Sequence, residues 1–279
     1  MDKSDLTWYF VPYDQLNHEI FPWSEGNREN NGLILIESRQ KGTSLNYHKQ
    51  KLALLLSNMR HFAAEAEALG HPVKYYFTDG SYHDLLSEIC HQTGPVKLVN
   101  PAERSLRSEL NPLVESGIIE ILPHEGWLTK REWFTETVGT EPPFRMDKFY
   151  QRVRKETGVM MQDGKPMGGK YSFDAENRLP WSGDPVTQEE ITFPVDDIDK
   201  AVMNLVNQRF ESHPGVCDLS KVPTTIEQHN QALNWGMANM EFFGPYEDAM
   251  SSKSRYLFHS KLAISVNLHR LSPEIIVKS

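Results

Sequence analysis

Residues Met160 to Arg178 read MMQDGKPMGGKYSFDAENR, and the stretch closes on Asp174, Glu176, Asn177 and Arg178. Two carboxylates and an amide so close together are the oxygen donors that a hard cation takes. Carboxylates are also the groups that move protons in acid–base catalysis. No further ligand cluster stands out, however, and exposed charge clusters more often hold structure than react. Arg178 can grip a neighbouring carboxylate with two parallel hydrogen bonds. Gly164, Gly168 and Gly169 give the backbone the freedom a demanding connector needs. The favoured reading is a structural clasp between two halves of the chain, with no metal ligand and no catalytic residue assigned.

A second stretch, FRMDKFYQRVRKETG, is strongly basic. On a helix Lys148, Arg152 and Lys155 share one side, which suits contacts to DNA phosphates; a solvated helix face is the alternative. His48 and His61 bracket a long helical pattern and read as satisfied surface or interface histidines rather than metal ligands. No nucleophile–histidine–acid arrangement emerges from spacing. The G-x-G-x-x-G and G-x-x-x-x-G-K-[ST] phosphate cradles are absent as well.

The elements that must position these residues follow from periodicity. Short runs rich in β-branched and aromatic residues, Leu6–Tyr13, Gly32–Ser38, Pro72–Thr78, Pro95–Pro101 and Gly117–Pro123, read as buried strands. Between them lie helical patterns. The longest carries Leu45, Leu52, Leu55, Leu56, Met59, Phe62, Ala63, Ala66 and Leu69 on one stripe, with Thr43 or Ser44 as N-cap and Gly70 as the stop. SYHDLLSEICHQTG and AERSLRSELNPLVESG are two shorter helices. Alternating strand and helix predicts a doubly wound parallel five-stranded sheet. After about residue 125 the pattern changes to a basic helix, a Gly/Pro-punctuated loop, and then helices over DIDKAVMNLVNQRF, TIEQHNQALNWGMANM, RYLFHSKLAISVNL and SPEIIVKS. The last of these opens a helix with little room to finish, so the expected C-terminus is a truncation.

The 279 residues carry a formal charge of −9 and two cysteines, Cys90 and Cys217. That balance argues against a surface coating nucleic acid non-specifically, and two distant thiols exclude a disulfide framework or a four-thiolate cluster within the chain. With no membrane-length apolar run and no signal-like start, a soluble cytoplasmic protein is expected.

Several segments, in order and spacing, carry a resemblance: YDQLN, YHKQKLALLLSNMRHFAAEAEALGHPVKYYF, MDKFYQRVRKETGVMMQDGKPMGGKYSFDAENR and DAMSSKSRYLFHSKLAISVNLHRLSP. They resemble the deoxyribodipyrimidine photolyase-related family, the iron–sulfur bacterial (6-4) photolyases and cryptochromes. The resemblance covers essentially the whole chain, although family members run to roughly twice this length. It implies an antenna-type α/β domain over 1–135, a connector over 136–195, and the first helices of an all-α flavin-binding domain over 196–279. It further implies FAD held in part by Tyr246, His259, Ser260, Lys261 and Leu262, with Ala263 replacing a second serine. An antenna chromophore, 6,7-dimethyl-8-ribityllumazine, would lie against Asp14, Gln15, Glu37, Lys41 and Leu55. Two departures bear on that site. Tyr13 stands where the family has glycine, and Lys41 where it has glutamate, so either a different chromophore binds or none does. The iron–sulfur ligands and most of the flavin pocket are expected on residues that this chain lacks. The resemblance thus implies the amino-terminal part of a light-driven repair enzyme for pyrimidine dimers, inactive as this piece, with damaged DNA and a carboxyl-terminal fragment or partner chain as partners. A stand-alone antenna or light-sensing module is the alternative, and an unrelated small-molecule enzyme on the same sheet a weaker third.

Overall fold

A computed structural model describes residues 6–23 and 25–279. The reading of the start as lacking a leader falls partly on residues 1–5, outside the described residues. Five strands, β1 (Thr7–Phe10), β2 (Asn31–Ser38), β3 (Val73–Thr78), β4 (Val96–Val99) and β5 (Ile119–Leu122), form an all-parallel sheet in the order β3-β2-β1-β4-β5. Each expected strand is present. Tyr9 pairs with Leu33 on one side and Lys97 on the other, so β1 and β4 are neighbours at the point where strand order reverses. In open α/β sheets the crevice beyond that point, at the carboxyl ends of the strands, is where ligands bind.

Helices cover both faces, which is why β2 is buried from Asn31 to Glu37 without alternation. Its even-numbered side chains Ile34 and Ile36 join Phe10, Leu86, Leu98, Leu106 and Leu110 in one core. Helices α3 (Tyr82–Thr93) and α4 (Arg104–Glu115) contribute Leu86, Leu106 and Leu110 to that core. Leu33 and Leu35 join Met59, Phe62 and Ala66 in the other core, beneath α2 (Lys49–Ala68). Fully burying each such side chain stabilises by about 1.5–3 kcal/mol. At Gly32 a Cβ would lie 2.5 Å from the Trp8 ring, so no larger residue fits there without displacing Trp8. A further helix, α7 (Asp197–Arg209), packs Val202 and Val206 with Phe210 onto Leu52 and Ala53 of α2.

The start of the long helix differs from expectation. Residues Arg39–Thr43 form a separate short helix, α1, capped by Ser38, and α2 is capped by His48, whose Nδ1 accepts from the Gln50 N–H at 3.1 Å. Lys49 N donates to Pro214 O at 2.9 Å, which fixes the chain where α2 begins. Leu45, expected on the buried stripe, is therefore off the helix and 64% exposed.

The remaining elements are α5 (Arg131–Val138), which the sequence pattern did not suggest, α6 (Met146–Thr157), a hairpin of β6 (Met161–Gln162) and β7 (Lys165–Pro166), α8 (Ile226–Tyr246), α9 (Ala263–Asn267) and α10 (Pro273–Lys278). The helix expected over RYLFHSKLAISVNL shrinks to α9. Leu257 and Lys261 take positive φ, 45° and 60°, and neither can be continued in a right-handed helix.

Two compact units emerge, each discontinuous in sequence. The first holds the sheet up to His124 together with Ile191–Ala232 and Ala263–Leu271; the second holds Glu125–Glu190, Leu233–Leu262 and Ser272–Ser279. Within the first unit, Leu16 N donates to Leu268 O at 3.0 Å and Arg270 forms a two-pronged bond to Glu65 at 2.7 and 2.8 Å. Among the described residues no helix is long and apolar enough to cross a membrane.

Candidate cofactor sites

The loop after β1 brings Tyr13 to the crevice, and the loop after β4 brings Glu103, the residue immediately before α4. The Tyr13 hydroxyl donates to Glu103 Oε2, spanning the switch point. From α1, Lys41 Nζ donates to Glu103 Oε1 and lies 3.2 Å from Ser105 Oγ. Burial alone would raise the Glu103 carboxyl, but bonds from Lys41, Ser105 and Tyr13 outweigh it and hold the pKa below the usual range. Burial, with the same carboxylate beside it, pushes the Tyr13 phenol far above its ordinary value, so it stays a donor. The space left beside this triad is a cavity of about 80 Å³, walled by Tyr13, Glu37, Lys41, Leu55, Met59 and Tyr82 among others.

Of the five residues expected to hold an antenna chromophore, Glu37, Lys41 and Leu55 line this cavity, and Asp14 and Gln15 do not. Glu37 is already committed: Arg60 donates to both its oxygens at 2.8 and 3.1 Å, and Tyr75 adds a bond of 2.7 Å. Gln15 donates from Nε2 to Val99 O at 2.9 Å, tying the loop after β1 to the end of β4. Its Oε1 and Asp14 Oδ1 are buried without a hydrogen-bond partner. Burial raises the Asp14 carboxyl to about 6.

The residues expected to hold flavin come together in the second unit. Gly236 of α8 lies so close to the loop 255–262 that a Cβ there would be 2.9 Å from Ser260 O. Tyr246 and Phe242 pack on Phe258 at 5.3 and 5.6 Å between ring centres, and His259 meets the edge of Phe243 at 5.3 Å. Ser260 Oγ lies 3.4 Å from the Leu262 N–H, and Leu262 is buried. Lys261 Nζ sits 4.2 Å above the Tyr256 ring and 3.4 Å from Glu190. A hydroxyl, an ammonium and an imidazole thus lie on consecutive residues, two of them in or next to a left-handed turn. That donor set suits a diphosphate.

The basic helix differs from a bare cationic face. Arg152 is held by Glu136 at 2.7 Å and Glu156 at 3.4 Å, whereas Lys148 and Lys155 are exposed. The stretch Met160–Arg178 was expected to clasp two halves of the chain; the bonds it makes lie within the second unit. Leu179 N donates to Pro245 O at 3.0 Å, Asp248 N to Asn177 O at 3.1 Å, and Arg178 pairs with Asp248 at 3.4 Å. Arg154, buried in α6, donates to the carbonyls of Val159, Met160 and Tyr171 and pins the hairpin. Together α6, the motif and the end of α8 wall an open groove of about 780 Å³ that includes Met146, Tyr150, Met167 and Phe173.

His61 is buried, 3.4 Å from Asp199 and 3.5 Å from Asp196. Asp196 and Asp199 form the capping box of α7, and Asp199 also accepts from Ser57 and Thr224, so the cluster has a structural account. His48 serves as the cap of α2.

Sequence reasoning missed Glu103. Its position, just beyond the strand that neighbours β1 at the reversal of strand order, was the available signal.

Comparison with known proteins agrees with this architecture. The family model of deoxyribodipyrimidine photo-lyase-related protein matches residues 9–221. A (6-4) photolyase of Agrobacterium fabrum is 28% identical over 264 residues, which are 91% of this chain and 52% of that protein. An uncharacterized protein of Acanthamoeba polyphaga mimivirus is 25% identical over 142 residues, 48% of this chain and 72% of that one. The chain therefore spans about half the length of the photolyase it matches. A parallel sheet with the order β3-β2-β1-β4-β5 and a family match across most of its length lead to one conclusion: the chain belongs to the deoxyribodipyrimidine photo-lyase-related protein family.

Proposed function

We propose that this chain is the amino-terminal part of a photolyase-like flavoprotein that repairs (6-4) photoproducts in DNA with light. The family match over residues 9–221 carries the reading, and the 28% identity to a (6-4) photolyase is what favours that lesion. In this reading residues 1–135 are the antenna-type domain, 136–195 the connector and 196–279 the first part of a flavin-binding region. FAD is the cofactor. Bound and reduced, it supplies the light-excited electron to the lesion. The chain's own part is to grip the diphosphate: the Ser260 hydroxyl, the Lys261 ammonium, His259 and the Tyr246 hydroxyl are the donors, and buried Leu262 anchors their loop. Lys148 and Lys155 meet DNA phosphates, while Arg152, neutralised by Glu136 and Glu156, adds less. A carboxyl-terminal fragment or partner chain would bring the iron–sulfur ligands and the rest of the flavin pocket.

Calorimetric titration of the 279-residue chain with FAD, ADP and riboflavin tests the diphosphate grip. FAD and ADP are expected to bind with similar affinity and riboflavin not at all. Ser260→Ala with Lys261→Ala should weaken FAD and ADP by about tenfold or more, the loss of one good charged contact. Riboflavin binding as tightly as FAD, or silence from both FAD and ADP, would refute this assignment.

A further inference from the structure

The antenna chromophore that the family implies does not fit the crevice of this chain. We propose that Tyr13, Glu103 and Lys41 form an internal latch that fills the crevice at the β1–β4 switch point, so that the α/β unit carries no antenna chromophore.

Four observations support the latch. The first is location: Tyr13 follows β1 and Glu103 follows β4, so their hydrogen bond closes the gap where a parallel sheet ordinarily receives a ligand. The second is space. About 80 Å³ is room for a few waters, whereas sites for cofactor-sized molecules run to about 300–1,000 Å³. Third, the two polar wall residues that the resemblance assigns to the chromophore are already engaged. Glu37 is bound by Arg60 and Tyr75, and Lys41 by Glu103 and Ser105. Opening the site therefore leaves a carboxylate, an ammonium and a phenol to find new partners, and truly unpaired buried groups are costly. Fourth, the remaining unpartnered acceptors, Asp14 Oδ1 and Gln15 Oε1, belong to residues outside the cavity wall.

The latch makes Tyr13 and Lys41 the residues that decide specificity at this site. Both stand at positions where the family resemblance expects smaller or opposite chemistry. A glycine at 13 would remove the ring that bridges to Glu103, and a carboxylate at 41 would replace attraction to Glu103 by repulsion. Together they break both arms of the latch.

The inference rests on the family reading for the two replacements and for its probe, 6,7-dimethyl-8-ribityllumazine, titrated into the purified chain with fluorescence as the readout. The wild type is expected to show no saturable change at micromolar lumazine. Tyr13→Gly/Lys41→Glu is expected to gain saturable binding, at least about tenfold tighter than any wild-type signal. Near-ultraviolet circular dichroism checks that the variant is folded; if it is not, Tyr13→Ala, which clears the ring and leaves the charges in place, takes its part. Saturable lumazine binding by the wild type would overturn the proposal. So would folded latch variants that bind no better than the wild type, since something other than the latch would then exclude the chromophore. FAD titrated into the same samples distinguishes the two readings: its affinity should be the same in wild type and variant whatever the lumazine result.

Discussion

Removing Arg270 tests how the first unit is held together. Its side chain is 1% exposed, and its guanidinium donates to both oxygens of Glu65 at 2.7 and 2.8 Å. Glu65, which is 23% exposed, also accepts at 3.0 Å from the Ile226 N–H, the first of α8. One carboxylate on α2 thus holds both the start of α8 and the segment after α9. Breaking a buried ion pair by deleting one partner costs about 3–5 kcal/mol, because a charge is left uncompensated. Water can reach Glu65 from its open side, which puts Arg270→Ala at the lower end, about 3 kcal/mol. Glu65→Gln keeps the hydrogen bond to Ile226 and one to Arg270, so it should cost about 1–2 kcal/mol less. Urea unfolding of wild type, both single variants and the double variant, completed as a cycle, should give a coupling of about 1–3 kcal/mol. Additive single effects, or an Arg270→Ala loss below about 1 kcal/mol, would show that the crossing is incidental and that apolar packing holds the segment.

Two further outcomes concern pH. Burial, with smaller contributions from His71, Arg270 and Arg28, lowers His18 to about 4. Between its ordinary value of 6.5 and 4 the unfolded chain takes up a proton that the folded one refuses, so stability is present above that window and lost as pH falls through it. His18→Phe, which preserves the contacts to Phe62 and His71, should flatten that loss by up to about 3 kcal/mol in a pH series of urea midpoints, and an unchanged slope would refute it. Asp14 works the other way. Raised by burial from 3.8 to about 6, it binds its proton more tightly when folded, so it erodes stability as pH rises through that interval. Asp14→Asn should therefore stabilise at pH 7 by about 1–3 kcal/mol and leave acid stability nearly unchanged; destabilisation at pH 7 would contradict the burial argument.

The sheet was legible because its strands are buried on both faces and so read as unbroken apolar runs, as in Leu33–Ile36. The long helix was legible from Leu52 to Ala66 for the same reason of periodic burial. Its start was not, because the decisive cap is a histidine and the next residue, Lys49, donates its N–H to the carbonyl of Pro214, far along the chain. The loop 255–262 reads as a helix by apolar spacing, and only the left-handed Leu257 and Lys261 end that reading. Most of the candidate site rested on family resemblance, and what changes it is one side chain: no local pattern reveals that Glu103 turns away from capping α4 to meet Tyr13 and Lys41.

The bonds from residues 268–270 back to Leu16, Asp14 and Glu65 have a consequence for biosynthesis. A ribosome releases Asp14 and Glu65 more than two hundred residues before their partners, the separations being 255 for Asp14 to His269 and 205 for Glu65 to Arg270. The α/β unit can gather its strands early but cannot be completed until residue 270 has cleared the exit tunnel. Such late-arriving, long-range closure slows maturation and prolongs the time in which apolar surface invites chaperones or aggregation.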